Sequence, residues 1–536
     1  MRTWRIRTNK HHTALSAYFS GHTTDSRCMR NTANYYIRNT MTGIQKTADE
    51  RTEAEQKVLD AVFYGIKTAN ENAVKRILKS ARRKKGMYAT AELYSFLKKP
   101  EIAYPTKEKW FLNYETLDAI FKMIEEPVYQ RMSAHVNQKA IRKATEAWKA
   151  YFKSLKAYRE NPDSFLGKPG IPGYIRSKKT TAVWTNQVAK YKTEGGKAYI
   201  QFCNCKEKLL IGSEEQFSGM KYVKTEVKPS GSEYVVLITF DDKVTVPEAP
   251  KHPIRILGLD AGVNNFLAVC NNFGEAPFLM KGGALKAANQ WFNKRRGQLM
   301  SKLTAGSDSK YSRKESKNLN ALSKQREDFI RDYFYKCAWY LCRYAILHKV
   351  EAIVVGCNKN QKQEISFCAA NNQNFVSIPY DKFRNILVHV AARCGLPVVF
   401  QEESYTSKAS LVDGDMLPVY GEIQEEPVFS GIRVKRGLYR TRDGKMLNAD
   451  INGAGNIIRK AYPYAFEGQE LSYLWKTTNV INFADFYRFR KTKSKKKKIH
   501  RPGVSSRLNH AKRDQRKTEL QQAFGATKEK YVQKAS

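Results

Sequence analysis

The sequence is poor in paired cysteines, long apolar runs and acidic residues. Its nine cysteines are odd in number and include no Cys-X-X-Cys pair, which argues against a disulfide framework and favours reduced thiols. No apolar run is long enough to span a bilayer, and the first residues, MRTWRIRTNKHH, lack the apolar core of a secretion signal. We therefore expect a cytoplasmic protein with no membrane partner.

The shortage of acidic residues leaves the 536-residue chain with a formal net charge of +43, from 94 Lys+Arg and 51 Asp+Glu. An excess of this size repels itself in a compact state and favours a polyanionic partner, most simply nucleic acid. Hydrophobic residues make up 42% of the chain, enough to exclude general disorder. The charge therefore indicates a class of partner, although it indicates no reaction.

The periodic patterns in the first half predict helices inserted into a β-rich region. Residues 1–25 contain a basic strand candidate, TWRIRT, and residues 26–158 have the three- and four-residue apolar steps of amphipathic helices. Their Lys/Arg faces either solubilise a bundle or face nucleic acid, and the charge favours the second reading. Residues 159–250 begin with a Gly/Pro-rich loop and continue as alternating strands, into which we expect the N-terminal strand to pair.

The second half alternates strands and helices. Residues 251–465 open with the hairpin candidate ILGLDAGVNNFLAV, and EAIVVG, KFRNILVHVAARCG and PVVFQEES then predict a parallel strand–helix–strand unit. NADINGAGNIIRKA begins a further helix. This order is compatible with an RNase H-like α/β sheet. Residues 466–536 are predicted to be a basic tail, since they contain KSKKKKIHR, a run typical of segments that order on an anionic partner.

Two aspartates stand where a metal site could form. Asp260 ends the first strand of the hairpin candidate, and Asp450 lies where the helix of NADINGAG begins. Each has an ordinary explanation, as a turn residue or a helix cap. Phosphodiester hydrolysis with two metal ions, however, needs carboxylates that converge from separate elements, and Mg²⁺ prefers oxygen ligands.

The sequences around these aspartates resemble a known family. ILGLDAGVNNFLAV resembles the first motif, and NADINGAGNIIRK the third motif, of the RuvC nuclease domain in the TnpB proteins of bacterial insertion sequences. IVVGCNKNQKQE, ESYTSKASLVDGDMLP and FSGIRVKRGLY are similar to the intervening segments in one branch of that family, and FLGKPGIPGYIRSKK to its basic loop. The resemblance covers about residues 160–460. The miniature type V CRISPR effectors share the nuclease motifs.

The resemblance implies an RNA-guided DNA endonuclease, with a guide RNA and target double-stranded DNA as partners. It implies a RuvC-like domain at 251–465 and a β-barrel-like wedge domain at 159–250, with the helical recognition domain at 26–158 inserted between that domain and its first strand. Asp260 and Asp450 would bind two Mg²⁺ ions, for which Mn²⁺ could substitute. We expect a bacterial protein that associates with the nucleoid when bound to DNA, and we favour a monomer.

The third carboxylate departs from the family pattern. The family's usual glutamate follows the strand equivalent to AIVVG, where this chain has Gly356. Because neighbouring parallel strands end at the same edge, Glu402 or Glu403 after the next strand could fill the gap, and alternation lets only one of them face a given side. The resemblance favours Glu403, three residues before a Thr-Ser pair, as in relatives with a relocated glutamate. Glu364 is the second choice.

The family's zinc-binding cysteines are also missing, since residues 400–460 contain none. We therefore expect no structural zinc, and a small ordered loop near 407–449 around SGIRVKRGLYRTRDGK, whose cations could contact nucleic acid or simply be solvated. Three rivals remain open. A guided DNA-binding protein without nuclease activity would explain Gly356, a DDE-type transposase also uses three carboxylates, and a non-enzymatic RNA-binding protein would explain the charge alone.

Overall fold

The structure, a computed structural model, describes residues 1–8, 12–83, 102–231, 233–305, 316–357, 378–419, 427–475 and 478–488. The chain divides into two compact units, Met1–Lys243 and Val244–Ser536. Helices and several sheets occur in both sequence halves, so the expected mixed α/β class is confirmed. The finer assignments to wedge, recognition and RuvC-like domains stay predictions.

The first unit contains helices α1 (Thr13–Gly43), α2 (Glu53–Arg83), α3 (Tyr114–Met123), α4 (Pro127–Gln130) and α5 (Ala134–Glu160), and strands β1 (Arg2–Arg7), β2 (Ala182–Thr185), β3 (Ala189–Glu194), β4 (Lys197–Phe202), β5 (Lys208–Ser213), β6 (Lys221–Ser230) and β7 (Glu233–Asp241). One sheet has the order β1-β7-β6-β2, and another has the order β3-β4-β5. The N-terminal strand pairs antiparallel with β7, so helices α1–α5 lie in the chain between two strands of one sheet.

The helices and strands of this unit share a core rich in aromatic rings. Phe19 of α1, Trp184 of β2 and Phe202 of β4 are at most 1% exposed, and Phe202 makes edge-to-face contacts with both other rings. The Gly/Pro-rich loop that follows α5 is tied to α1, because Asn34 and Arg38 both donate hydrogen bonds to the Pro172 carbonyl, each at 3.1 Å. The loop therefore follows the surface of a helix instead of forming one.

The first helix begins earlier than its sequence indicates. We predicted helix only from about Ser26, whereas α1 starts at Thr13. Its buried face already includes Leu15, Phe19 and Thr23, at four-residue steps. Ser, Thr and Gly residues between positions 16 and 26 weaken the apolar period, because their intrinsic helix preference is low and tertiary packing supplies the stability instead.

The second unit contains strands β8 (Ile256–Ala261), β9 (Asn265–Asn271), β10 (Phe278–Lys281), β11 (Ala352–Gly356), β12 (Val398–Gln401), β13 (Ile432–Lys435), β14 (Leu438–Arg440), β15 (Met446–Leu447) and β16 (Asn479–Ile481), and helices α6 (Gly283–Thr304), α7 (Lys317–Leu347), α8 (Tyr380–Arg393), α9 (Ala449–Ala461) and α10 (Asp485–Arg488). Its main sheet has the order β12-β11-β8-β9-β10-β16. The predicted hairpin β8–β9 is antiparallel, and the predicted pair β11–β12 is parallel.

The main sheet is covered by helices on both faces. Ile256 of β8 and Val354 of β11 are buried in one cluster with the apolar residues of α9. Leu257 and Leu259 of β8, which alternate with Ile256, are buried in the opposite cluster with α7 and α8. By the same alternation Asp260 and Gly356 belong to the α9 side, because side chains two residues apart in a strand share a face.

The sequence boundary at residue 466 is wrong, because the chain continues into the main sheet. Strand β16 pairs in parallel with β10. Tyr473 and Leu474 are at most 3% exposed in the α9-side cluster, and Phe483 packs against the opposite one. Dense Lys and Arg farther along obscured these apolar residues. The predicted basic tail from residue 489 onward lies outside the described residues.

Candidate active site

Asp260 is positioned by the close approach of α9 to β8. Gly258, two residues before it, allows this approach, since a Cβ there would overlap the Ala454 carbonyl oxygen. On α9, Gly453 faces Asp260 itself: a Cβ at that position would lie 2.9 Å from Asp260 Oδ2. The glycines of LGLDAG and NADINGAG thus leave room for a carboxylate between a strand and a helix.

Asp450 begins α9 but does not cap it. The cap is Asn448, whose side-chain oxygen accepts hydrogen bonds from the backbone N–H groups of Asp450 (2.9 Å) and Ile451 (3.2 Å). The Asp450 carboxylate is half-buried and accepts hydrogen bonds from Asn265 Nδ2 at 2.6 Å and Arg433 Nη2 at 3.2 Å. The ordinary explanation of this aspartate as a helix cap is therefore excluded.

Glu403 occupies the space beside Gly356. In the parallel register Gly356 lies opposite Gln401, so the residues after β12 continue at the edge where β11 ends. A Cβ at Gly356 would lie 2.5 Å from Glu403 Oε2 and 2.6 Å from Cδ1 of Ile457 in α9. The carboxylate of Glu403 therefore lies where a side chain from position 356 would start.

Glu402 has a different partner. Its carboxylate forms an ion pair with Lys460 of α9, whose side chain is only 5% exposed, and accepts a hydrogen bond from the Ser404 backbone N–H at 2.6 Å. Of the two adjacent glutamates, only Glu403 has a carboxylate oxygen beside Gly356. Glu364, the second choice from the sequence, lies outside the described residues.

The acidic groups influence one another electrostatically. Burial raises the pKa of Asp260 to about 8, with further increases from the nearby carboxylates of Glu403 and Asp450 and an opposing effect from Arg433. Burial also raises the pKa of Glu403 to about 7, against the influence of Arg384. Both shifts therefore come mainly from the removal of these carboxylates from water, with repulsion by neighbouring carboxylates as a smaller contribution.

The carboxylates fit a divalent metal in chemistry, although they are not arranged around one. Across the described ranges, no group of three or more His, Cys, Asp and Glu side chains is placed to hold a metal ion. Asp450 instead bonds Asn265 and Arg433. The available donors are carboxylate oxygens, which Mg²⁺ prefers, and a bound cation would offset both the burial and the carboxylate repulsion that raise the pKa of Asp260.

Sequence reasoning missed three residues of this site. Asn265 lies within the predicted hairpin and Arg433 within the predicted basic loop, and the sequence assigns neither to the site, yet both bond Asp450. Gly453 was noted only as part of a motif. The available signal was the composition of the motifs themselves, since glycines and an asparagine beside an aspartate are typical of close backbone approach and carboxylate positioning.

Strands β13, β14 and β15, within the predicted ordered loop near 407–449, form an antiparallel sheet in that order. Tyr439 of β14 is fully buried and donates a hydrogen bond to the Lys408 carbonyl at 2.7 Å. Asp413 accepts hydrogen bonds from Ser410 Oγ (2.6 Å), Ser430 Oγ (3.1 Å) and the Arg442 backbone N–H (3.0 Å). These bonds connect both ends of the loop to one carboxylate.

Two family models match the second half of the chain. Residues 238–362 match OrfB_IS605, described as a probable transposase, and residues 380–457 match the TNB domain of Cas12f1-like proteins. The resemblance to the TnpB family and to miniature type V effectors, predicted from the motifs, is thereby confirmed. The first match includes Asp260 and Gly356, and the second includes Glu403 and Asp450. No curated protein matches the chain.

Several solved structures are similar to the chain at low identity. A Cas12f1–sgRNA–target DNA complex is 14% identical, covering 85% of this chain and 98% of that one, with a TM-score of 0.41. The mini-RNA-guided endonuclease CRISPR-Cas_phi3 is 10% identical, covering 65% and 86%, with a TM-score of 0.34. TM-scores of this size do not establish a common overall fold. Within the described ranges, no helix is long and apolar enough to cross a membrane.

Proposed function

We propose that the protein is an RNA-guided DNA endonuclease with a RuvC-like active site formed by Asp260, Glu403 and Asp450. The observation that supports it most is the 2.5 Å between Glu403 Oε2 and the Cβ position of Gly356. A neighbouring strand end thereby supplies a carboxylate where the family's usual glutamate is missing. The motifs around Asp260 and Asp450 supply the other two ligands.

In this proposal the three carboxylates would hold two Mg²⁺ ions, which Mn²⁺ could replace. Metal bound there would supply an activated water and a positive charge that stabilises the leaving oxygen of the DNA phosphodiester. Gly453 keeps space for Asp260, and Asn265 orients Asp450 through its 2.6 Å hydrogen bond. Arg433 offsets the charge of Asp450 before a cation binds. The loop of β13–β15 requires no structural zinc.

The strongly basic chain would bind a guide RNA and target double-stranded DNA, with base pairing supplying the sequence specificity. We favour a monomer in the bacterial cytoplasm that associates with the nucleoid when bound to DNA. The wedge-like unit of β1–β7, with helices α1–α5 inserted, would carry much of the RNA contact. A basic C-terminal tail would add to it.

The second candidate is a guided DNA-binding protein that does not cleave. It is favoured by the contacts of Asp450, which bonds Asn265 and Arg433, while the residues that the structure describes include no preformed metal-binding group. A DDE-type transposase is less favoured, because it would transfer transposon ends without a guide RNA. Because the OrfB_IS605 family is described as a probable transposase, strand transfer is a further activity to measure.

The proposed function is tested by purifying the protein from cells that carry its native locus and sequencing the RNA that co-purifies. We expect a discrete RNA, and Mg²⁺-dependent cleavage of DNA complementary to it. Asp260→Ala should abolish cleavage while RNA binding is retained. RNA-guided binding without cleavage would support the second candidate, and the absence of any discrete RNA would contradict both. Strand transfer without RNA would indicate a transposase.

A further inference from the structure

A bulge in the main sheet places a lysine beside the candidate site. Strand β10 pairs antiparallel with β9, and Met280 lies opposite Leu267. In an unbroken register the next pair would be Lys281 and Phe266, but the register shifts there and brings Lys281 opposite Asn265. Bulges of this kind re-aim a side chain and are frequent next to active sites. The bulge therefore determines which residue of β9 faces Lys281.

Neighbouring residues hold the bulged end of β10 in place. Tyr333 of α7 is buried and donates a hydrogen bond to the Lys281 carbonyl at 2.6 Å. The next residue, Gly282, donates its backbone N–H to the Asn264 carbonyl at 2.8 Å. A Cβ at Gly282 would overlap the Val263 carbonyl oxygen. The end of β10 is thus packed closely against the turn that joins β8 to β9.

Lys281, Asn265 and Asp450 form a chain of hydrogen bonds. Lys281 Nζ donates to Asn265 Oδ1 at 2.9 Å, and Asn265 Nδ2 donates to Asp450 Oδ2 at 2.6 Å. All three residues are half-buried, and partial removal from water strengthens the hydrogen bonds between them. The chain therefore connects strand β10, through β9, to the carboxylate at the start of α9.

The chemistry of lysine gives this chain a direction. An ammonium group only donates hydrogen bonds, whereas an asparagine amide has an acceptor on one side and donors on the other. Lys281 therefore requires the amide oxygen of Asn265 on its own side, which leaves the NH₂ group for Asp450. Without Lys281 the amide would be free to turn over and present its oxygen to the carboxylate, where two acceptors repel each other.

The two oxygens of the Asp450 carboxylate have different partners. Oδ2 accepts the hydrogen bond from Asn265, and Oδ1 accepts one from Arg433 at 3.2 Å. The side chain of Arg433 is 43% exposed, and an exposed ion pair contributes little to stability. Oδ1 is therefore the oxygen more easily given up to another cation, while Asn265 keeps the carboxylate in position.

We propose that Lys281 is a positioning residue for metal binding, which acts through Asn265 to hold Asp450 with Oδ2 occupied and Oδ1 available to a divalent cation. The inference rests on the proposed function, since it takes Asp450 as a metal ligand. A purely electrostatic role of Lys281 makes the opposite prediction, because a positive charge near the site repels Mg²⁺. The two roles therefore differ in the sign of their effect on metal affinity.

The test combines two readouts of cation binding. One is the Mg²⁺ concentration that gives half-maximal cleavage of guided target DNA, and the other is the rise in melting temperature that Mn²⁺ causes in the full chain freed of RNA. Lys281→Met removes the ammonium group, Lys281→Glu replaces it by an acceptor, and Lys281→Arg keeps a donor. Lys294→Met, at an exposed lysine of α6, is the matched control, and Asp450→Asn defines the loss of the metal ligand.

We expect Lys281→Met to raise the half-maximal Mg²⁺ concentration about 10-fold, Lys281→Glu to raise it further, and Lys281→Arg to retain most of the wild-type affinity. The maximal rate at saturating Mg²⁺ should change less, because the metal then orders the Asp450 carboxylate itself. The effect of Mn²⁺ on the melting temperature should shrink in the same order. Melting temperatures in EDTA separate these effects from misfolding.

A double variant tests whether Lys281 acts through Asn265. Asn265→Ala should weaken Mg²⁺ binding about 10-fold, and adding Lys281→Met to it should change little further, because the lysine then has no amide to orient. Additive losses in the double variant would show that Lys281 acts independently, which overturns the inference.

Cation binding by Lys281→Met that is as tight as in Lys294→Met, or tighter, would also overturn the inference, while the proposed function stands if the wild type cleaves guided DNA. If Asp450→Asn changes neither the Mn²⁺ effect nor cleavage, the inference and the proposed active site fail together. A wild type that binds Mn²⁺ through Asp450 but cleaves nothing would contradict the endonuclease alone. The melting temperatures would then still decide the role of Lys281.

Discussion

The two halves of the candidate site bring carboxylates to the same sheet edge by different routes. On one side, Asp260 and Asp450 lie where α9 approaches β8, and glycines at positions 258 and 453 permit that approach. On the other side, Glu403 reaches the edge because β12 runs parallel to β11, beyond the point where Gly356 ends its strand. The first half depends on glycines in the motifs around its own aspartates, and the second depends on the register between two strands.

In the proposed site, a carboxylate from a neighbouring strand would replace the glutamate that is missing from its usual position. Glycines in the first half cannot be replaced without moving the carboxylate or the helix. In the second half, glycine at 356 leaves open the space that the Glu403 carboxylate occupies. A larger residue at 356 would collide with the carboxylate now present.

The largest effect on DNA cleavage should come from the half of the site that contains Asp260 and Asp450. Asp450→Asn is expected to reduce guided DNA cleavage by more than about 100-fold, because loss of mere supporting partners of a metal ligand already costs about 10–100-fold. Asp443→Asn, an exposed aspartate of the preceding loop, is the matched control and should cleave as the wild type does. Equal activity of the two variants would remove Asp450 from the site.

Gly453→Ala tests the space that this half requires. Its Cβ would lie 2.9 Å from Asp260 Oδ2, so the carboxylate must shift, and we expect cleavage to fall about 10–100-fold. Gly297→Ala in α6 is the control, since a Cβ there meets nothing within 4 Å. That variant should keep its activity and gain about 0.5–1 kcal/mol in stability. Full cleavage by Gly453→Ala would mean that Asp260 need not stay where it lies.

Asp413→Asn tests the segment that connects the two halves. The substitution replaces a carboxylate that accepts hydrogen bonds from Ser410, Ser430 and the Arg442 backbone by a neutral amide. We expect the free energy of unfolding to fall by about 1–3 kcal/mol. A zinc chelator should leave the wild-type melting temperature unchanged. A chelator-induced loss of stability would show that a metal, rather than Asp413, maintains the loop.

Asp260→Asn should have a smaller and opposite effect on stability in EDTA. Because the folded-state pKa of Asp260 is raised to about 8, ionising it in the folded protein is unfavourable, and wild-type stability falls as pH rises from about 4 to about 8. The variant should melt a few degrees higher (about 1 kcal/mol) near pH 8, with little difference near pH 4. Thermal melts at both pH values test this, and a wild type that melts higher than Asp260→Asn near pH 8 would contradict the electrostatic account.

The sequence contained enough to predict the sheet that carries the site. The β8–β9 hairpin and the parallel β11–β12 pair follow from apolar runs interrupted at the correct spacing. The start of α1 and the contribution of β16 could not be predicted, since both depend on long-range packing that outweighs weak local patterns.

The candidate site, like the fold, could be predicted from the sequence only in part. Asp260 and Asp450 were predicted from their motifs, alternation limited the third position to one of two adjacent glutamates, and the resemblance favoured Glu403. The contacts that distinguish the two glutamates become visible only in three dimensions, because Lys460, which binds Glu402, is 58 residues farther along the chain. Asn265 and Arg433 likewise meet Asp450 only in three dimensions.

The measurement that tests the central claim most directly is Mg²⁺-dependent cleavage of guided target DNA by Glu403→Gln beside Glu402→Gln. Glu403→Gln should lose more than about 100-fold in cleavage rate while remaining at least as stable as the wild type. Glu402→Gln should cleave normally yet melt at a lower temperature, because it leaves the buried Lys460 without its carboxylate partner. Normal cleavage by Glu403→Gln would contradict the account.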